Sequence, residues 1–87
     1  MENTKEITVY SSDLCVHCAN LKLWLKNNKF RFNDKNVDHP KFSKELQEKG
    51  IQAVPYTIIK NLHTEETEYI IGFDESKLKN ILLKYKS

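Results

Sequence analysis

Apolar and polar positions along the chain change period several times, and each change predicts an element. Ile7, Val9 and Tyr10 lie in "EITVY", a short strand-like run that stops at the polar stretch "SSDLC". Ser11, Ser12 and Asp13 there suit a loop or a helix cap. From Cys15 to about Asn28 apolar side chains return at helical spacing, through Cys18, Leu21, Trp24 and Leu25, and Asn27 and Asn28 end the run. "FRFNDKNV" alternates Phe30 and Phe32 with polar residues and predicts a second strand. Asp38, His39 and Pro40 predict a helix start, since Pro is tolerated in a first turn. Phe42 and Leu46 are the core residues of that helix, and Gly50 is its stop. "VPYTIIK" and "ETEYIIG" predict a third and a fourth strand, joined by the loop "NLHTEE". The last helix begins near Asp74, with Leu78, Ile81, Leu82 and Tyr85 at i, i+3, i+4 and i+7 forming one buried stripe.

The predicted order is β-α-β-α-β-β-α, an α/β domain. Its first β-α-β requires a parallel pair with a right-handed crossover, and its final β-β predicts an antiparallel hairpin. A chain of 87 residues suffices for one small domain over 1–87 and is short for two. The formal net charge is +2, with basic residues scattered among acidic ones. That distribution argues against a nucleic-acid surface, which needs clustered Lys and Arg. No apolar run has the length of a bilayer span, so no membrane partner is expected. Met1 to Glu6 carries neither the charged nor the apolar region of a signal peptide, and the expected location is the cytoplasm. Trp24 and Tyr10 are expected in the core or on its flank, Tyr56 is expected to pack inward, and the Lys-rich end reads as the solvated face of a helix.

The chain's two cysteines, Cys15 and Cys18, stand two residues apart at the predicted junction of the first strand and first helix. Three readings compete. A structural zinc site wants four ligands, commonly two closely spaced pairs. Here there is one C-x-x-C, with His17 inside it and His39 and His63 far apart in sequence. An inert pair, with Cys18 in the core, is the plainest reading. The redox reading has a positive physical case. Cys15 falls at a helix start, where free backbone N–H groups and the helix dipole favour an anion. A thiol there has a lowered pKa and a larger thiolate fraction. Cys18 follows three residues later on the same face, so the sulfurs can close a Cys15–Cys18 disulfide. Cys15 is then the exposed nucleophile and Cys18 the resolving thiol. His17 is either a solvated side chain without a role or, when protonated, a charge that stabilises the Cys15 thiolate.

"YSSDLCVHC", "AVPYTII" and "IIGFDESKL" resemble, in that order, the three active-site segments of the glutaredoxin family. The resemblance covers nearly the whole chain. It implies a thioredoxin fold, a four-stranded mixed sheet flanked by three helices, and a dithiol–disulfide oxidoreductase with no bound cofactor and no metal. It also implies a cis peptide at Val54–Pro55, where the Val main chain pairs with extended substrate. Gly72 and Asp74 match the end of a Gly-Gly-x-Asp segment that holds the γ-glutamyl end of glutathione. Without the resemblance, Gly72 ends a strand and Asp74 caps a helix. Phe73 either borders the substrate groove or packs on the last helix.

Several positions depart from the family pattern. Ala53 replaces the usual Thr before Val-Pro, and Ile71 replaces the first Gly of the pair. Ser12 stands where Lys or Arg usually pairs with a glutathione carboxylate, and Val16-His17 replaces the common Pro-Tyr. Cys-Val-x-Cys and Gly-Phe are similar to the NrdH-redoxin branch, whose members are recharged by thioredoxin reductase and reduce ribonucleotide reductase. The Arg-Pro that follows Gly-Phe in that branch is replaced by Asp74-Glu75. The resemblance thus implies a monomer that reduces a disulfide-containing protein, with thioredoxin reductase or glutathione as electron donor. Two other readings stay open: a glutaredoxin acting on glutathione mixed disulfides, and a zinc or iron–sulfur module bound through Cys15.

Overall fold

A computed structural model describes residues 5–83. The elements are β1 (Lys5–Ser11), α1 (Val16–Asn27), β2 (Asn33–Asn36), α2 (Pro40–Glu48), β3 (Tyr56–Asn61), β4 (Thr67–Ile71) and α3 (Glu75–Leu82). They follow the expected order. Tyr85, expected on the last helical stripe, lies outside the described residues, as do the first four residues of Met1–Glu6.

The four strands form one sheet in the order β2-β1-β3-β4. β1 runs parallel to β2, which obliges α1 to cross over between them, and antiparallel to β3. β3 and β4 form the expected antiparallel hairpin, with Ile58 opposite Tyr69. Its loop is fastened by Asn61, whose Oδ1 accepts from the backbone N–H of His63 and of Thr64.

Alternation along β1 and β3 divides the core between two faces, because successive strand side chains point to opposite sides. Ile7, Val9 and Ile59 join Leu21 and Leu25 of α1, Leu78 and Leu82 of α3, and Ile70 in one buried cluster. Tyr10 and Tyr56 point the other way and meet Leu46 of α2. The helices therefore cover both faces, as a thioredoxin fold requires. Tyr10 and Tyr56 are both buried, and their rings lie 6.1 Å apart.

The second strand differs from its sequence reading. Phe30 and Phe32 precede β2, which is the polar run Asn33–Asn36. The helix end explains this. Lys29 takes a left-handed φ of 65°, and Phe30 N–H closes α1 by donating to Leu25 O at 2.9 Å. The Phe30 ring then stacks on Trp24, 6.1 Å away, and both Phe side chains pack against the first cluster. Their burial comes from α1 and the core, so their alternation is not a strand signal.

α2 is fastened to the sheet by a polar group. Tyr10 Oη donates to Glu45 Oε1 at 2.9 Å, and Lys35 Nζ lies 3.2 Å from the same oxygen. Burial raises the Tyr10 pKa, and its bond to Glu45 adds to the rise. The Tyr10 hydroxyl and then Lys35 hold the Glu45 carboxyl below its ordinary range. A carboxyl with a lowered folded-state pKa contributes stability above its unfolded pKa and loses it as pH falls through the folded value. Glu45→Gln is therefore expected to be less stable than the parent at neutral pH. The gap should close on acidification below the usual glutamate range. Urea unfolding of both proteins across that range measures it, and a gap that stays constant with pH would refute the assignment.

Candidate active site

The strand-to-helix junction after β1 is held by polar contacts on both sides. Ser11 is fully buried, and its Oγ donates to Asp34 Oδ1 at 2.7 Å. Lys22 of α1 reaches the same pair, 2.9 Å from Asp34 Oδ2 and 3.3 Å from Ser11 Oγ. One turn of chain later, Cys15 N–H donates to Ser12 O at 3.3 Å. These contacts fix where the chain leaves the sheet and where α1 begins.

α1 is capped by a sulfur. Cys15 is the N-cap residue, with extended backbone, and its Sγ accepts from Cys18 N–H at 3.0 Å. Ser11, Ser12 and Asp13, the polar candidates for that cap, do not supply it. An N-cap side chain normally offers oxygen to the N–H two or three residues on. Here the same geometry brings the N–H, and with it the positive end of the helix, onto the Cys15 sulfur. Cys15 and Cys18 are joined as a disulfide with Cα atoms 5.2 Å apart. Cys18 is 0 % exposed, whereas Cys15 is partly exposed. His17, between them, is exposed.

The Val54–Pro55 peptide is cis and faces this pair, with Val54 O 3.9 Å from Cys15 Sγ. Pro55 is buried, and β3 begins at the next residue, Tyr56. Pro55 O accepts from Gly72 N–H at 2.8 Å, which ties the end of β4 to the cis segment. Gly72 has φ +85°, a conformation that L side chains rarely adopt. Its turn sends Phe73 into the first core cluster and places Asp74 as the N-cap of α3, accepting from Lys77 N–H at 3.1 Å. Both local readings of Gly72 and Asp74 therefore describe the backbone, and Phe73 packs on the core.

Cys15, Cys18, Ser12 and Val54 come together in one place, and Gly72 is bonded to Pro55 on its edge. His39 precedes α2, and His63 sits in the hairpin loop at the other end of β3, so neither joins the cysteines. Among the described residues no group of three or more His, Cys, Asp or Glu is placed to hold a metal ion.

Two features of the site go beyond what the sequence predicts. Three large apolar side chains at the site are exposed: Leu14 at 95 %, Val16 at 69 % and Ile71 at 59 %. Leu14 and Val16 flank Cys15, and Ile71 precedes Gly72. Asp38, read only as part of a helix start, accepts from Ser12 Oγ at 3.2 Å and from Asp13 N–H at 3.1 Å. Leu14 and Val16 could have been found as apolar residues on either side of Cys15. The Asp38 contact spans 26 positions and has no local signal.

The Glutaredoxin family pattern matches residues 7–64 of the chain. The glutaredoxin-like protein NrdH of Lactococcus lactis subsp. cremoris is 38 % identical over 76 residues, covering 86 % of this chain and 97 % of that protein. Its counterpart in L. lactis subsp. lactis is 36 % identical over the same shares. Among solved structures, the glutaredoxin-like NrdH-redoxin of Escherichia coli superposes with a TM-score of 0.71 at 26 % identity, over 87 % of this chain and 93 % of that one. Plasmodium falciparum thioredoxin, at 18 % identity, shares the fold with a TM-score of 0.72 over 98 % of this chain and 74 % of its own. With its cysteine pair at the start of α1 and a cis proline opposite, the chain belongs to the glutaredoxin family, in its NrdH-redoxin-like branch, and is a thiol–disulfide oxidoreductase.

Proposed function

We propose that this protein reduces disulfides in protein substrates by a two-cysteine route in the cytoplasm. The observation that carries the proposal is the asymmetry of the pair: Cys15 is partly exposed and caps α1, while Cys18 is fully buried behind it. In the reduced protein the Cys15 thiolate is stabilised by the Cys18 N–H and the helix start. It attacks one sulfur of the target, forms a mixed disulfide, and expels the target's other sulfur as a thiolate that takes up a proton. The Cys18 thiol then loses its proton and attacks Cys15 Sγ. The mixed disulfide breaks and the second target thiol leaves. Two electrons pass from the Cys15–Cys18 dithiol to the target, and the protein ends as the disulfide.

The other site residues serve this exchange. Val54, beside the cis Pro55, offers its main chain to an extended substrate segment next to Cys15. Gly72, Phe73 and Asp74 build the edge of that platform, with Phe73 acting from the core. His17 lies beside the nucleophile, where a protonated imidazole adds to thiolate stabilisation. Ser12 supplies no cation for a glutathione carboxylate. That absence of charge favours a protein partner over glutathione, and ribonucleotide reductase is the acceptor that the NrdH-like relatives suggest. Thioredoxin reductase is the electron donor that fits the same reading.

Three outcomes test the proposal. Brief alkylation of the reduced protein should label Cys15 well before Cys18, read by peptide mass; equal labelling would contradict the assigned roles. Cys18→Ser keeps the nucleophile and removes the resolving attack. A mixed disulfide with an insulin chain should then accumulate on Cys15 and insulin reduction should stop; full insulin reduction by the variant would sink the two-cysteine route. Finally, oxidised protein should regain its thiols from NADPH with thioredoxin reductase, and regain them slowly from glutathione with glutathione reductase. The opposite order would make it a glutathione-dependent glutaredoxin.

A further inference from the structure

Two carboxylates lie at the entrance to the cysteine pair without a counter-charge. Asp38 Oδ1 accepts from Ser12 Oγ at 3.2 Å, and its Oδ2 accepts from Asp13 N–H at 3.1 Å. Asp13 Oδ1 in turn accepts from Asn36 Nδ2 at 2.8 Å, and Asn36 Oδ1 accepts from Asp38 N–H at 2.8 Å. The four-way arrangement pins both carboxylates to the segment that ends at Cys15, whose N–H is bonded to Ser12 O. Three other acidic side chains are ion-paired, Asp34 with Lys22, Glu45 with Lys35 and Glu75 with Lys79. Among the described residues neither Asp13 nor Asp38 has such an ion pair.

The groove that opens beside the cysteine pair has no basic side chain in its lining. A groove of about 600 Å³ runs from Ser12 and Val54, next to Cys15, along α2 to Ser43, Gln47 and Gln52. Its lining is apolar or neutral polar, with no Lys, Arg or His. An anionic group entering it meets no cation in the lining, and Ser12, one of its lining residues, is hydrogen-bonded to the Asp38 carboxylate. A neutral main chain finds amide and hydroxyl partners there.

We infer that Asp38, with Asp13 beside it, is a specificity-determining residue that turns thiol–disulfide exchange away from anionic disulfides and toward protein segments carrying a neutral or basic flank. The inference rests on the dithiol reading above and adds the charge class of the partner. The α1 N-terminus and His17 act in the opposite sense on an anion. They are unchanged when the aspartates are altered, so comparison of parent and variants isolates the aspartate effect.

Three small symmetric disulfides supply the test: cystamine, which is dicationic; bis(2-hydroxyethyl) disulfide, which is neutral; and dithiodiglycolate, which is dianionic. Each reacts with the reduced dithiol by the same step, leaving the protein disulfide and two free thiols. Rates are measured at low salt and expressed relative to the neutral reagent. Intrinsic reactivity differences between reagents cancel when the variants Asp38→Asn and Asp13→Asn are compared with the parent. Asp13→Asn retains the oxygen that accepts from Asn36, so its loop contact survives the loss of charge. A unit charge within about 10 Å in water shifts encounter by a few-fold, so each variant should lower the cation-to-anion rate ratio by about three- to fivefold. Added salt at about half a molar should shrink the parent's ratio toward that of the variants. Ratios that stay the same in both variants would overturn the inference and leave the Cys15 chemistry standing. If the reduced parent reacts with none of the three, the neutral reagent included, the dithiol reading falls and the inference falls with it.

Discussion

The site depends on one hydrogen bond, from Cys18 N–H to Cys15 Sγ. It makes the nucleophile the cap of its own helix. A serine or aspartate one or two residues earlier could have capped the helix by the usual chemistry, and the sulfur would then lie away from the free N–H groups. With sulfur as the cap, the first turn of α1 is directed onto the reacting atom. The three-residue spacing then follows from helix geometry. An N-cap side chain reaches the N–H of the third residue on, and that residue's own side chain lies on the same face. Cys18 is therefore both the donor that steadies Cys15 and the thiol that pairs with it.

A sulfur held in this way still needs a surface opposite, and the sheet provides it. β1 is central, paired with β2 on one side and β3 on the other. The pairing of Tyr10 with Tyr56 puts the end of β1 beside the start of β3, so the two chain segments that carry chemistry emerge side by side. Val54 O lies 3.9 Å from Cys15 Sγ because of that register. Gly72 locks the arrangement from the third side through its bond to Pro55 O. Each of the three segments is short, and each adjoins a strand anchored in the core, by Val9 and Tyr10 in β1, Tyr56 and Ile59 in β3 and Ile70 in β4.

Charge around the sulfur is set by a different part of the chain. The end of β2 carries Asn36 and the turn after it Asp38, and the parallel pairing of β1 with β2 brings both up beside Ser12 and Asp13. Ser11 is opposite Asn36 in the register. The parallel crossover thus does more than complete the sheet. It lets a residue 26 positions away decide the electrostatics of the active-site loop.

The order of the elements and the place of the cysteine pair at a helix start were legible in the sequence. Period is a local property, and Leu21, Leu25, Leu78 and Leu82 declare their helix faces without reference to anything distant. The C-x-x-C, the Val-Pro and the Gly-Phe-Asp are also local, and resemblance to a family was legible in them. Phe30 and Phe32 misled because alternation records burial, and their burial came from the end of α1 and the core. The tertiary arrangement decided that Val54 O faces Cys15 Sγ and that Asp38 reaches Ser12. Those facts depend on strand register and on which turns meet at one end of the sheet, and neither has a period that a single chain can display.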